Sequence, residues 1–402
     1  MKARILIAIH YLEIGGAEIS LIGLLHAIDY SKYDVDLFVY SHRGELMGLV
    51  PEAVNILPEI PEYAQIERPM KDVLKDGYWR IVLKRLLARL RFNHYLKTRH
   101  PKDRGAVFGY IADAVTPILA SLEYYGEYDL AISFLTPHNI VADKVFAKKK
   151  VAWIHTDYCS TDIDQQLELP VWAKFDHIVS ISDKVGENFV SVFPSLDRKL
   201  IRIDNILSPQ FVRERADLVP LEVIEDEMPK NDKLINLLSV GRFCYAKNYD
   251  NIPDICRRII GSGVSVRWYI IGYGGDESLI RSKIVESGME EHVIILGKKS
   301  NPYPYMKACD IYVQPSRYEG NSVTVREAQI LCKPVIVSDY PTSKNQIKDL
   351  VDGIIVPMGN DKCADRIAGY IQDKEMLGDI VNYLKCHDYG NEKEIEKLYE
   401  LI

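Results

Sequence analysis

Short apolar runs alternate with segments of helical periodicity along the whole of this 402-residue chain, and no other feature constrains its fold as tightly. A run that is apolar at successive residues suits a strand covered on both faces, and strands joined through helices pair in parallel. Strand patterns fall at residues 4–10, 35–40, 130–134, 151–154 and 177–180 in the first half. In the second half they fall at 235–240, 265–271, 293–296, 311–314, 334–338 and 354–356. Amphipathic segments such as 20–28, 184–192 and 248–260 lie between them. The chain is too long for one ordinary domain, so the pattern predicts an α/β protein of two Rossmann-like domains with parallel sheets. Residues 205–232 are acidic, contain proline and have few periodic apolar positions, and 209–231 reads as a linker. The expected bounds are 1–208 for the first domain, 232–370 for the second, and 371–402 for C-terminal helices packing back toward the first. Ligands of open α/β sheets bind beyond the carboxyl ends of the strands, so the cleft between the two domains is the expected site.

Composition narrows the function. Hydrophobic residues make up 47% and charged residues 27% of the chain, as in a soluble globular protein. The formal net charge of −7 argues against nucleic-acid binding as the main role. No apolar stretch approaches the ~18–20 residues needed to cross a bilayer, and no signal-peptide cleavage site follows the short apolar start. The seven cysteines are scattered without close pairs, so neither disulfides nor a cysteine zinc site is expected, and the expected location is the cytoplasm. One segment departs from the acidic average. Around Trp79 to Arg91, apolar residues (Trp79, Val82, Leu83, Leu86, Leu87, Leu90) recur at helical spacing, while Arg80, Lys84, Arg85, Arg89 and Arg91 line other faces. Such a helix fits an anionic membrane surface, with peripheral attachment at the inner face of the plasma membrane. It equally fits an ordinary helix with a solvated basic face.

The side chains with chemistry to offer follow strand patterns. Ser316 to Glu327 reads Ser-Arg-Tyr-Glu-Gly-Asn-Ser-Val-Thr-Val-Arg-Glu, placing Glu319 in a turn and Glu327 inside a helix that begins near Ser322. Free amides at a helix start bind anions. Carboxylates beside such amides suit a polyhydroxylated, phosphate-bearing ligand such as a nucleotide-sugar. Gly241-Arg242 follows a strand and Lys247 precedes a helix; a guanidinium fork and a mobile ammonium together suit a diphosphate. Gly272-Tyr273-Gly274-Gly275 ends another strand but lacks the full dinucleotide glycine pattern, so it reads as a turn permitting close backbone approach. Gly15-Gly16-Ala17-Glu18 joins the first strand to the first helix, where glycines let amides face a ligand. His155 follows a strand of the first domain and reads either as a ligand contact or as a satisfied loop histidine.

On these residues the chain resembles the retaining GT-B glycosyltransferases of family four, a group containing bacterial mannosyl-, glucosyl- and galactosyltransferases of surface polysaccharides. The resemblance covers nearly the whole chain, and it implies two Rossmann-like domains whose sheets face each other across a deep cleft. Gly15 and Gly16 look like the family's N-terminal glycine loop near the donor phosphate and acceptor. Gly241, Arg242 and Lys247 match its basic pair on the donor diphosphate, and Gly272 and Gly274 match its strand-end turn. Glu319 and Glu327 match its spaced glutamates. The resemblance implies that Glu319 contacts the donor sugar and Glu327 the ribose hydroxyls. It also implies that the amides of Gly320, Asn321, Ser322 and Val323 approach the sugar and phosphate. His155 matches a first-domain histidine near the transferred sugar. The family has no metal requirement, and the resemblance implies no cofactor beyond the donor. Two departures stand out. The usual aromatic and small residues after Glu-Gly are here Asn321 and Ser322, and no glycine follows Lys247.

The expected activity is therefore retaining transfer of a hexose from a nucleotide diphosphosugar, UDP-linked by preference. The expected acceptor is a glycan or lipid-linked glycan of a cell-surface polysaccharide such as lipopolysaccharide or capsule. Glu319, His155, Arg242 and Lys247 are the expected catalytic residues. Rival readings are a sugar-nucleotide epimerase of the same fold, a catalytically silent nucleotide-sugar binder, and an NAD-dependent oxidoreductase, the last weakened by the incomplete glycine pattern.

Overall fold

Both sheets of the protein are parallel, and in each the strand that comes first in the chain lies inside the sheet, third from one edge. The computed structural model describes residues 2–101, 104–156, 158–159, 161–231, 233–320 and 322–402. The chain divides into two compact units, Met1–Ile206 with Glu392–Ile402, and Leu207–Asn391. Among the described residues the first unit has seven strands: β1 (Ala3–Ile9), β2 (Tyr33–Val39), β3 (Asn55–Ile56), β4 (Tyr128–Ser133), β5 (Ala147–Ile154), β6 (His177–Ser180) and β7 (Leu200–Arg202). Their spatial order is β3-β2-β1-β4-β5-β6-β7. The second unit has β8 (Ile235–Val240), β9 (Val266–Ile271), β10 (Val293–Gly297), β11 (Ile311–Gln314), β12 (Val335–Ser338) and β13 (Ile354–Val356). These run in the order β10-β9-β8-β11-β12-β13. Each unit therefore has a switch point, between β1 and β4 and between β8 and β11, where the flanking loops diverge and leave room for a ligand.

Burial explains why the strands read as unbroken apolar runs. Ile5, Leu6, Ile7, Ala8 and Ile9 of β1 are all buried, because helices cover both faces of the sheet. Leu237, Trp268, Val313 and Ile336 do the same work in the second unit. The strands missed by pattern are β3 and β7, edge strands of two and three residues. Too short to show a period, they are held by pairings such as Leu37 with Ile56 and Val179 with Ile201.

The stretch 209–231, expected as a linker, instead contributes two helices, Pro209–Asp217 and Leu221–Glu227, to the second unit. Ser208 caps the first of them at the Phe211 amide, with Pro209 at its first position. Phe211, Val212, Ala216, Ile224 and Met228 are buried. Five apolar anchors over eighteen residues leave most positions polar, which is why the pattern looked aperiodic. Near the C-terminus, helices Asn360–Gln372 and Lys374–Lys385 place Ile367, Ile371, Ile380 and Leu384 in the second unit's core. The last eleven residues join the first unit. There the Asp29 amide donates to the Tyr399 hydroxyl at 2.8 Å, and the Tyr399 ring stacks on Tyr33 with centroids 4.3 Å apart.

The basic segment forms a single helix, Trp79–Arg99. Its inner side is Ile81, Val82, Arg85, Ala88 and Phe92, so Val82 and Arg85 belong to the packed face rather than to the exposed surface. Arg85 turns inward to donate to the carbonyls of Gln65 (3.1 Å) and Arg68 (2.6 Å). Among the described residues no helix is long and apolar enough to cross a membrane.

Candidate active site

The second unit gathers its charged side chains at the switch point between β8 and β11. β8 ends at Val240, Gly241 comes next, and a 3-10 turn, Tyr245–Lys247, follows. A methyl group on Gly241 would lie 2.8 Å from the Tyr249 hydroxyl and 3.3 Å from Cε of Lys247, so glycine lets the lysine stem fold back over the strand end. The Lys247 ammonium then reaches Glu319 Oε1 at 2.6 Å. That same oxygen accepts from Ser316 Oγ at 2.6 Å and Gln314 Nε2 at 3.0 Å. Gln314 is itself oriented by the Tyr312 hydroxyl, which donates to its Oε1 at 2.7 Å. Ser316, Gln314 and Tyr312 are buried, and Lys247 is partly exposed. One carboxylate oxygen is thus fixed by three donors, and the other, Oε2, has no partner among the described residues.

Arg317, Asp250, Ser316 and Gln314 were not singled out by sequence, although Ser316 and Arg317 lie three and two places before Glu319. Arg317 forms a two-pronged ion pair with Asp250 at 2.9 and 2.7 Å, and donates to the Tyr245 carbonyl at 2.7 Å. Its backbone amide bonds the Ala246 carbonyl at 2.8 Å. These contacts lock the loop after β11 onto the loop after β8, which fixes the Lys247–Glu319 geometry. Arg242 is exposed, and its guanidinium has no ion pair or hydrogen bond among the described residues.

Two glycines after β9 bring a third loop alongside. Gly272 and Gly274 both have φ of +154°, and a Cβ on them would sit 1.9 Å from the Gly241 carbonyl and 2.3 Å from the Phe243 carbonyl. The close approach these glycines permit is to the β8 loop, completed by the Phe243 amide donating to the Tyr273 carbonyl at 2.8 Å.

The helix Val323–Ile330 starts at Ser322, whose amide donates to Gln346 Oε1 at 3.2 Å. Amides in its first turn, from Val323 onward, have no partner within the helix. Beside Gly320 a Cβ would meet nothing within 4 Å; Asn321 lies outside the described residues. Glu327, one turn into this helix, is buried, and its Oε1 accepts from the Tyr303 hydroxyl at 2.8 Å. Burial pushes its pKa up to about 7, against the Tyr303 bond that favours the carboxylate.

Gly15, Gly16 and His155 belong to the first unit. Gly15 precedes the helix Gly16–Ala27, and a Cβ there would collide with the Glu18 carboxylate at 2.2 Å. A Cβ on Gly16 would meet nothing within 4 Å. The His155 ring packs 4.7 Å from Phe134, its buried Nε2 has no partner among the described residues, and burial lowers its pKa to about 3. His138 shares that character: its Nδ1 lies 2.8 Å from Ser133 Oγ, and burial, aided by the charges of His10 and His155, also lowers it to about 3. A cavity of about 280 Å³ opens beyond β4 and β5, lined by Thr136, His138, Thr156, Tyr158, Glu168 and Trp172 among others. Among the described residues no three His, Cys, Asp or Glu side chains gather as a metal site would require.

Residues 222–386 match the family described as glycosyl transferases group 1. Among curated proteins, the chain is 25% identical over 170 residues to the amylovoran biosynthesis glycosyltransferase AmsD of Erwinia amylovora, covering 41% of this chain and 47% of that protein. It is 27% identical over 192 residues to a Campylobacter jejuni N-acetylgalactosaminyltransferase acting on a diphospho-undecaprenol-linked saccharide, covering 48% and 49%. The chain thus spans about half the length of these relatives. Among solved structures it is similar to Anabaena HepE in complex with UDP-glucose, with TM-score 0.65, 15% identity and 99% of both chains covered. It is also similar to S. aureus TarM bound to fondaparinux, alpha-GlcNAc-glycerol and UDP, with TM-score 0.67, 13% identity, and 100% and 99% covered. The two units therefore have the GT-B fold, and the second carries the sequence pattern of the group 1 glycosyl transferases, which the chain resembles.

Proposed function

We propose that this chain is a retaining hexosyltransferase. It takes a hexose from a nucleotide diphosphosugar, UDP-linked by preference, to a hydroxyl of a glycan or lipid-linked acceptor in cell-surface polysaccharide synthesis. The observation that carries this reading is the Lys247–Glu319 pair, in which one carboxylate oxygen is held by three donors while the other is left for a ligand. UDP in the HepE and TarM complexes supports the donor class, and the amylovoran and diphospho-undecaprenol names support the acceptor class.

The chemistry follows from the charges. As the anomeric C–O bond breaks, its electron pair stays with the diphosphate and the sugar ring becomes positive. Lys247 gives one N–H to Glu319 and keeps two. Arg242 keeps its whole fork, and the first amides of Val323–Ile330 carry partial positive charge. Together these groups neutralise the leaving diphosphate without a metal. Glu319 Oε2 accepts from sugar hydroxyls and so positions the ring; it is not a covalent nucleophile. The acceptor oxygen bonds the anomeric carbon on the face the diphosphate leaves, and its proton passes to a phosphate oxygen, which retains configuration. Glu327 holds the ribose hydroxyls with the oxygen that Tyr303 leaves free. Beside the sugar, His155 stays neutral, because burial keeps it unprotonated at neutral pH. Gly15, Gly16, Gly272, Gly274, Gly320, Ser322 and Val323 are assigned to donor binding. The enzyme works in the cytoplasm, peripherally at the inner membrane face.

Proton NMR of the hexose released from UDP-glucose, UDP-galactose, UDP-N-acetylglucosamine and GDP-mannose tests this directly. Slow hydrolysis giving the α-anomer first, unaffected by a chelator, is expected with one of the UDP-sugars. The β-anomer first would overturn retention, and a converted nucleotide-sugar without release would make the protein an epimerase. Absence of binding and release with every donor would leave a silent member of the fold.

A further inference from the structure

The helix Trp79–Arg99 is apolar on two opposite sides, and only one of them is used inside the protein. At 3.6 residues per turn, Trp79, Leu83, Leu86, Leu87 and Leu90 fall within an arc of about 100°. All five are exposed, between 45 and 66%. The buried side, centred on Ile81, Ala88 and Phe92, lies opposite and packs on the first unit. A surface helix needs one apolar stripe to dock on its own domain, so the second stripe has no role in folding this unit. The charges around it are one-sided. The helix holds seven Lys and Arg and no Asp or Glu, in a chain whose net charge is −7. Arg80, Lys84 and Arg91 flank the outer stripe on one edge and Arg89 on the other. Arg91 pairs with Asp113 at 2.6 Å; Arg80, Lys84 and Arg89 have no ion pair among the described residues. Leu74 and Phe108, on helices that pack against this one, are exposed as well.

We propose that the outer stripe of this helix is a docking surface for an anionic lipid bilayer, lying in the headgroup plane with Trp79 and the leucines in the acyl boundary. Charge decides the occupant. A neutral apolar partner would bury the stripe but leave the arginines and lysine without counter-charges, and a second copy docked stripe to stripe would set these cations against their own like charges. A bilayer containing anionic phospholipid supplies both the apolar layer and the charge. The inference gives the membrane-face location proposed above a surface, but it stands on exposure and charge, so its test can fail while sugar transfer stands.

Sedimentation of the full chain with phosphatidylcholine vesicles, with and without phosphatidylglycerol, tests it. Binding is expected to the phosphatidylglycerol vesicles, at least about tenfold tighter than to neutral ones, and to be lost near 1 M salt, where the screening length falls to ~3 Å. Leu83→Glu with Leu90→Glu alters only exposed positions and should abolish binding while leaving the circular-dichroism melt unchanged. Arg80→Glu with Arg89→Glu should remove the preference for phosphatidylglycerol. Equal binding to both vesicle types, or binding untouched by the leucine pair, overturns the proposal. A wild-type dimer that ignores vesicles and becomes monomeric in the leucine variant overturns it too, and reassigns the stripe to self-association.

Discussion

Beyond β11 the polar side chains of the second unit are charged and already paired, whereas beyond β4 and β5 the titratable rings of the first unit are neutral imidazoles set among aromatics. In the second unit Lys247 meets Glu319, and Arg317 meets Asp250. In the first, His138 packs on Trp172 with ring centroids 4.3 Å apart, His155 packs on Phe134, and burial holds both far below the usual histidine range. Glu168, the carboxyl in the first-unit cavity, is bonded by Tyr158 and Trp172 rather than by a cation, and burial raises its pKa. The two ends suit different ligands. Rigid, pre-paired charges meet a charged diphosphate with little reorganisation, while uncharged aromatic walls suit the hydroxyls and ring faces of a neutral glycan.

The largest expected effect breaks the charged end. Lys247→Ala removes a charge-assisted donor and one of three bonds to Glu319 Oε1, and should lower the rate of sugar release from the donor by roughly 10²–10³-fold. His155→Ala, at the uncharged end, should leave UDP affinity unchanged. Calorimetric titration with UDP alongside donor turnover would show it. Wild-type turnover in Lys247→Ala would sink the assignment of charge stabilisation to this end.

Next comes backbone packing. Gly272→Ala forces a Cβ to within 1.9 Å of the Gly241 carbonyl at a φ of +154°, so two loops must separate. The expected cost is about 3 kcal/mol, a fall of roughly 6–12 °C in the second unit's melting transition. Gly16→Ala, with nothing within 4 Å of the new methyl, is the matched control and should stay within ~0.5 kcal/mol. Equal melting temperatures for the two variants would refute the close approach.

The units should also respond to acid in opposite directions. His138 and His155 are lowered in the folded state to about 3, so their contribution is present above the unfolded value near 6.5 and lost as pH falls toward 3. At pH 5 that is about 2 kcal/mol for each histidine. Glu327 is raised to about 7, so its contribution is fully present below the ordinary carboxyl value and lost as pH rises through 7. Going from pH 7 to 5, this group adds about 2 kcal/mol to the second unit. Differential scanning calorimetry at the two pH values should show the first unit's transition falling relative to the second's. Parallel shifts would show that the burial of these groups does not govern acid stability.

How far each end could be read beforehand follows the same division. Strands of the second sheet match their sequence patterns nearly to the residue because a strand covered on both faces announces itself as a continuous apolar run. Lys247 and Glu319 stood out as charged residues in loops that follow apolar strands, and the fold brings their side chains within 2.6 Å. Arg317 did not, since its value comes from Asp250, 67 residues away in sequence, and no local spacing reveals such a pair. In the first unit, Val82 and Leu83 are adjacent apolar residues of one helix, yet one faces the core and the other solvent. Helical periodicity shows that stripes exist and leaves open which stripe the domain takes. His138 follows a strand just as His155 does, and only the packing of Trp172 against it shows that it is neutral and buried.

The smallest predicted effect probes Glu327, whose pKa burial raises. With a pKa of about 7, Glu327 is mostly protonated at pH 6 and mostly ionised at pH 8. Ribose hydroxyls donate best to the ionised form, whose free oxygen has two lone pairs, while the protonated form offers a donor where an acceptor is needed. UDP affinity should therefore rise about tenfold from pH 6 to pH 8, following the ionised fraction, or about 1.4 kcal/mol. Glu327→Gln, which keeps the shape and an acceptor oxygen but cannot titrate, should bind more weakly at pH 8 and with a nearly flat profile. Phosphate ionisation of UDP near pH 6 contributes to both profiles alike, so the difference between them isolates the carboxyl. A wild-type profile as flat as the variant's, with matching affinities at pH 8, would detach Glu327 from the ribose and leave its bond to Tyr303 as its whole role.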